Sequence, residues 1–181
     1  ARTTDLRAAR TTDLRFARTT DLRAARTTDL RFARTTDLRT ARTTDAGRVG
    51  AILSEFVDTT PWMPRVHSRA QDVGFAGFMI DQGWVTVAEN ETGVVGFAAL
   101  DADRVQSLYV ARDNRHAGVG AQLLNAMKLR CAGLSLWTFQ ANDGAQRFYI
   151  KHGFVAVEHT DGQGNDEGLP DIRMEWSKGE T

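Results

Sequence analysis

The 181-residue chain has a single cysteine, Cys131. That excludes an intrachain disulfide and fits a reducing compartment, so a cytoplasmic location is expected. No apolar run approaches the ~20 residues needed to cross a bilayer, and no membrane partner is expected. The first residues, rich in Arg and Thr, hold no apolar h-region of a secretory signal peptide. The four histidines, His67, His116, His152 and His159, lack the paired spacing of a zinc site, and no metal is expected. Net charge is also missing: 23 basic residues balance 23 acidic ones. What remains is the composition of a globular protein, 41% hydrophobic and 25% charged, with room for one domain and an extension.

The balance conceals an asymmetry. Residues 1–40 carry ten Arg and five Asp, a net charge of +5, and the rest carries −5. A basic tail on an acidic body can pair with that body or with a polyanion. The body itself has no basic stripe of the kind that marks a nucleic-acid surface.

The tail is a repeat. ARTTDLRA (1–8), ARTTDLRF (9–16), ARTTDLRA (17–24), ARTTDLRF (25–32) and ARTTDLRT (33–40) are copies of one octad, and a sixth begins as ARTTD (41–45) before departing into AGRVGAIL. An even period keeps the same faces in register along a strand, with Leu6 and Ala8 on one side and Asp5 and Arg7 on the other. In a helix the apolar positions drift by about 80° per copy, so no continuous stripe forms. Each copy offers only Leu plus one further apolar residue against an ordering cost of roughly 1–2 kcal/mol per residue. Residues 1–36 therefore read as an extension, with possible self-association through the repeat, and 37–181 as the domain.

Beyond Asp45 the pattern changes. Val49, Ile52, Leu53, Phe56 and Val57 follow helical spacing, with Asp45 or Thr44 as N-cap. Pro61 and Pro64 enforce a loop. Ser68-x-x-Gln71 is a capping box that opens a second helix, through about Ile80. Strands are expected at 38–42, 84–89, 94–100, 105–110, 134–139, 154–159 and 171–176, and further helices at 118–130 and 144–152. The order β-α-α-β-β-β-α-β-α-β-β specifies an α/β (α+β) fold, a mixed central sheet flanked by helices.

Two stretches carry chemistry. The strand 105–110 leads through a short linker into Arg115-His-Ala-Gly-Val-Gly120, which opens a helix. Unpaired N–H groups at such a helix start point at a ligand, and the dipole favours an anion. Further on, Asn142, Ala145, Phe148, Tyr149, Gly153 and Phe154 are spaced as a short helix closed by a glycine C-cap.

Together these stretches resemble the GNAT acetyltransferase superfamily, over about residues 37–181. Arg115-x-x-Gly118-x-Gly120 is similar to the family's pyrophosphate-binding signature. Asn142 through Phe154 is similar to its second signature, and Leu108-Tyr109-Val110 to its bulged fourth strand. The resemblance implies acetyl-CoA as acyl donor. Backbone groups of His116, Ala117, Gly118, Val119, Gly120 and Ala121, introduced by Arg115, would hold the pyrophosphate. The backbone of Leu108 and Val110 would bond the pantetheine and the acetyl carbonyl. Asn142 and Phe148 would contact the pantetheine arm, and Tyr149 would protonate the leaving thiolate. The acceptor would be a primary amine, attacking the thioester directly.

One element departs from the family. Many relatives carry Glu on the fourth strand, where this chain has Arg104 and Gln106. Asp101, Asp103, Glu89 and His67 are the alternatives for a base, and none is singled out. Trp62, Met63, His67, Asp171 and Arg173 are candidates for the acceptor pocket; Trp62 and Met63 could equally cap the core, and Asp171 could bond to its own loop. Two rival functions stay open at this stage: a non-catalytic acyl-CoA-binding module, and a protein whose Arg-rich repeat binds a polyanion through phosphates.

Overall fold

The computed structural model describes residues 35–179. The octads before Thr35, with their expected strand-like faces, lie outside the described residues. The first strand, β1 (Asp37–Thr40), is the second half of the fifth octad and pairs antiparallel with β2 (Val85–Asn90), Leu38 opposite Ala88. It ends two residues earlier than its pattern predicts. Ala41 makes a last rung to the Val85 carbonyl, and the Arg42 N–H then turns to the Asp45 carboxylate at 2.7 Å. Arg39 binds Asp45 and Glu89, both at 2.7 Å, and ties the strand to the turn. Asp45 precedes helix α1 (Ala46–Thr59) as expected, but with its carboxylate engaged in this way it makes no side-chain cap.

Helix α2 (Arg69–Asp81) opens with both halves of the expected capping box: Ser68 N–H donates to Gln71, and Gln71 N–H to Ser68 Oγ. Gly50 lets α1 and α2 cross closely, since a Cβ there would lie 2.7 Å from the Val73 backbone. After β2 come β3 (Gly93–Asp101) and β4 (Arg104–Val110), then helix α3 (Val119–Lys128), β5 (Gly133–Phe139), helix α4 (Asp143–Lys151), β6 (Val155–His159) and β7 (Asp171–Ser177). Every expected element is present in the expected order.

The seven strands form one sheet in the order β1-β2-β3-β4-β5-β7-β6. All neighbours are antiparallel except β4 and β5. On one face, Val49 and Ile52 of α1 and Ala76 and Met79 of α2 bury Phe97 and Ala99. On the other, Leu123, Leu124 and Met127 of α3 pack with Ala98, Leu100 and Phe154. Strand β3 is therefore buried on both sides, which is why it reads as a continuous apolar run from Val94 to Leu100.

The β4/β5 junction positions the site. These parallel strands pair only at Arg104–Ser135 and Val105–Leu136, then diverge. Between Ala99 and Leu100 of β3 the register with β4 shifts, and Gln106 is the residue left over. Beyond it, one edge of β4 has no strand beside it.

Candidate active site

The Ala111 N–H donates to the Val95 carbonyl of β3 at 2.8 Å. Backbone groups alternate along a strand, so those of Val110 and Leu108 face the other way, into the gap between β4 and β5. The Val110 carbonyl there accepts from Arg115 Nε at 3.0 Å. Arg115 thus anchors the following loop to the strand end.

That loop has the shape of an anion cradle. His116 has φ +63° and Gly118 φ +84°, both left-handed, which tightens the turn into α3. Gly118 occupies the N-cap position with no side chain to satisfy the helix start. The first intrahelical bond is from Gln122 N–H to the Gly118 carbonyl, so the N–H groups of Val119, Gly120 and Ala121 precede it. A Cβ on Gly120 would stand 3.6 Å from the Phe148 ring and 3.7 Å from Leu108, which sets the helix start against both β4 and α4. These donors suit the pyrophosphate of acetyl-CoA.

Helix α4 closes the other side. Asn142 is its N-cap, with Oδ1 accepting from Ala145 N–H at 3.0 Å, which leaves Nδ2 for a ligand. Phe148 packs on Tyr149 and His152. The ring of Tyr149 belongs to the core, only 8% exposed, and burial pushes its phenol well above the ordinary range. Its hydroxyl makes no hydrogen bond among the described residues and borders a cavity of about 200 Å³. Leu108, Tyr109, Phe139, Asn142 and Ala145 also line that space.

A larger cavity of about 520 Å³ lies beside it and shares Gln106, Ser107, Tyr109 and Phe139 as a common wall. Leu53 and Val57 of α1 line this space rather than the core, and Phe56 lines the smaller one. The α1–α2 loop contributes Met63, Val66 and His67. Arg65 holds that loop down, donating to Asp58, to the Ser54 and His67 carbonyls, and to Asp72 at 3.1 Å. Asp72 is 6% exposed and accepts from Ser54 Oγ at 2.5 Å.

The third wall is the loop between β6 and β7. Asp171 organises it, accepting from Thr160 Oγ1 and from Asn165 Nδ2. Asn165 in turn donates to the Leu169 carbonyl and accepts its N–H. The loop thereby brings Asp166 and Glu167 to the larger cavity. Asp166 lies 3.3 Å from His67 Nε2 across the mouth. Burial, with the charges of Glu167 and then Asp72, pushes the Tyr109 phenol up to about 12.

Of the acceptor-pocket candidates, His67 and Met63 line the larger cavity and Asp171 the smaller one. Trp62 lines neither; it is wedged between Phe56 and Phe139 and supports the wall from behind. Arg173 lies on β7, paired with Glu158 and Glu175. Among the alternatives for a base, Glu89 is bound to Arg39 at the far side of the sheet, which holds its carboxyl below the usual range. Asp101 and Asp103 flank the β3–β4 turn and border neither cavity, whereas His67 lines the larger one and faces Asp166. Cys131 donates to the Ala102 carbonyl at that same turn. Arg65, Asp72, Asp166 and Glu167 are not visible from sequence, because no local pattern signals a loop clamp or the inward turn of DGQGNDEGLP. Among the described residues no group of His, Cys, Asp and Glu could hold a metal, and no helix is long and apolar enough to cross a membrane.

Comparison with known proteins agrees with this architecture. The family described as Acetyltransferase (GNAT) domain matches residues 67–156. A mycothiol acetyltransferase of Corynebacterium jeikeium (strain K411) is 40% identical over 65 residues, 34% of this chain and 19% of that protein. The chain thus spans about a fifth of that relative's length. Among solved structures, the GCN5-related N-acetyltransferase of Rhodopseudomonas palustris superposes with a TM-score of 0.69 at 24% identity, over 80% of this chain and 96% of that one. YjaB of Escherichia coli, in its apo form, gives 0.66 at 22% identity, over 78% and 97%. The yncA protein of Salmonella typhimurium, solved with its cofactor acetyl-CoA, gives 0.62 at 21% identity, over 81% and 96%. At these identities the structures establish the fold, and the matched family extends it to a class of chemistry. The splayed β4/β5 sheet, the Gly118 helix start and the family match place the chain in the GNAT acetyltransferase superfamily.

Proposed function

We propose that this domain moves an acetyl group from acetyl-CoA to a primary amine by direct attack on the thioester. One observation carries the reading: the unpaired edge of β4 at Leu108 and Val110 runs between the α3 helix start and the Tyr149 hydroxyl. When bound, acetyl-CoA supplies the acetyl thioester. The N–H groups of residues 116–121 hold its pyrophosphate, and Asn142 Nδ2 with the Phe148 ring guides the pantetheine arm. The Leu108 and Val110 backbone fixes the acetyl carbonyl so that a donor is already aimed where negative charge develops. Tyr149, which as a phenol is protonated at neutral pH, gives its proton to the departing sulfur. The larger cavity receives the amine, and the shared wall of Gln106, Ser107, Tyr109 and Phe139 is where the two meet.

The test is stabilisation by acetyl-CoA. At about 100 times its Kd the native state should gain roughly 2.7 kcal/mol. Gly118→Glu puts a carboxylate beside the pyrophosphate and strains the left-handed N-cap, so the shift should vanish in a variant shown by circular dichroism to be folded. A full shift in that variant would remove the site. A full shift in the wild type with no thiol release on any amine would favour a binding module instead.

A further inference from the structure

We propose that Glu167, from the β6–β7 loop, receives the acceptor's proton, and that the acceptor is accordingly a cationic amine with an apolar body. This inference rests on the acetyl-transfer reading of the same site. The fourth strand offers no carboxylate: Gln106 lines both cavities at the position from which a base could act. Among the described residues, three carboxylates border the larger cavity: Asp72, Asp166 and Glu167. Asp72 is buried and committed to Ser54 and Arg65. Asp166 is 77% exposed and faces His67 at the mouth. Asp171, in the smaller cavity, has both oxygens bonded to its own loop.

Glu167 differs from all three. It is half-buried and makes no hydrogen bond or ion pair among the described residues. Its charge acts on the phenol of Tyr109, one of the four residues in the wall between the cavities. Glu167 thus lines the cavity whose wall, at Tyr109, is where amine and thioester would meet. The remaining wall is apolar, with Leu53, Val57, Met63, Phe75 and Phe139. Such a lining binds the hydrocarbon part of a ligand, while the carboxylates attract its ammonium.

The proton balance is simple. An alkylammonium (pKa ≈ 10.4) is mostly protonated at pH 7, and its nitrogen lone pair must be freed before attack. Glu167 takes one N–H proton as the nitrogen bonds to the acetyl carbon, and passes it to solvent at the Asp166–His67 mouth. The C–S bond breaks, and the electron pair leaves with sulfur, which Tyr149 protonates. The second N–H proton, lost as the amide forms, restores Tyr149 through solvent.

The variant Glu167→Gln keeps size and removes charge, with Glu167→Asp as the conservative partner. Calorimetry on the protein without acetyl-CoA compares 2-phenylethylamine with 2-phenylethanol, equal in shape but not in charge. The wild type should prefer the amine about 10-fold, and Glu167→Gln should lose that preference while binding the alcohol unchanged. Turnover of 2-phenylethylamine should fall about 100-fold or more and recover in part in Glu167→Asp. Stabilisation by acetyl-CoA should be the same in all three proteins. If the wild type binds the amine no better than the alcohol, or if Glu167→Gln keeps the preference, the inference is overturned. Absence of acetyl-CoA stabilisation in the wild type would instead overturn the functional reading, while the calorimetry would still decide charge selection.

Discussion

The two cavities that meet at Tyr109 are built in opposite ways. The smaller one comes mostly from a continuous stretch, Val105 to Tyr149, in which strand, loop and helices follow one another. The larger one gathers Leu53, Met63, Asp72, Gln106 and Glu167 from segments far apart in sequence. Contiguity makes a site readable, because each residue's role depends on its neighbours in the chain. A site assembled across the fold depends on loops whose conformation is set by side chains elsewhere, such as Arg65 and Asp171. The family likeness, carried by the first kind of site, thus fixes the donor more firmly than the acceptor.

The most damaging way to test that division is at Tyr149, on the contiguous side. Tyr149→Phe removes a hydroxyl that bonds no described residue and leaves the buried ring in place. We expect kcat to fall roughly 10- to 1,000-fold, acetyl-CoA affinity to stay, and stability to change by less than about 0.5 kcal/mol. Activity and melting temperature measured on one preparation decide it. Unchanged kcat in a folded variant would end the general-acid assignment.

The same contrast accounts for what was legible. The order of helices and strands follows from periodicity and from Pro61, Pro64 and Gly153, since these act within a few residues. The capping box at Ser68–Gln71 is legible for the same reason. Leu53, Phe56 and Val57 were less so: helical spacing marks an apolar face, but not whether that face meets a core or a cavity. Trp62 shows the converse: sequence left it open to pocket or core, and it packs between Phe56 and Phe139 behind the pocket wall. Glu167 had no signal at all, because a carboxylate in a Gly-rich loop reads as solvated until Asp171, Thr160 and Asn165 fold the loop inward.

A smaller effect is expected on the assembled side. Arg65→Ala frees the α1–α2 loop and leaves the buried Asp72 carboxylate with Ser54 alone. The cost should be about 1–3 kcal/mol, with KM for the amine raised. Acetyl-CoA stabilisation should persist, because no contact of Arg65 reaches Arg115 or α3. Equal loss of donor and acceptor binding would show that the two sides are one unit and dissolve the comparison.

The smallest effect concerns the repeat. We expect deletion of residues 1–32 to change stability by less than about 0.5 kcal/mol. The segment 37–45, DLRTARTTD, supplies Leu38 to the core and Arg39 to Asp45 and Glu89 without help from earlier copies. Arg39 hydrogen bonds hold the Asp45 carboxyl below its usual range. Its contribution is therefore present above about pH 4 and lost as pH falls further, equally in both chains. Residues 29–37, DLRFARTTD, differ only by Phe32 in place of the exposed Thr40, so chemistry alone does not prevent an earlier copy from taking the β1 position. Chain entropy does. A slip of one octad inserts an eight-residue loop before α1, costing about 2 kcal/mol in closure. Leu38→Ala at this half-buried position should cost about 1–2 kcal/mol, too little to drive the slip. The penalty should thus be the same in the full and truncated chains, measured by denaturant unfolding. A clearly smaller penalty in the full chain would show an upstream octad replacing the fifth, and the assignment of β1 to residues 37–40 alone would fall.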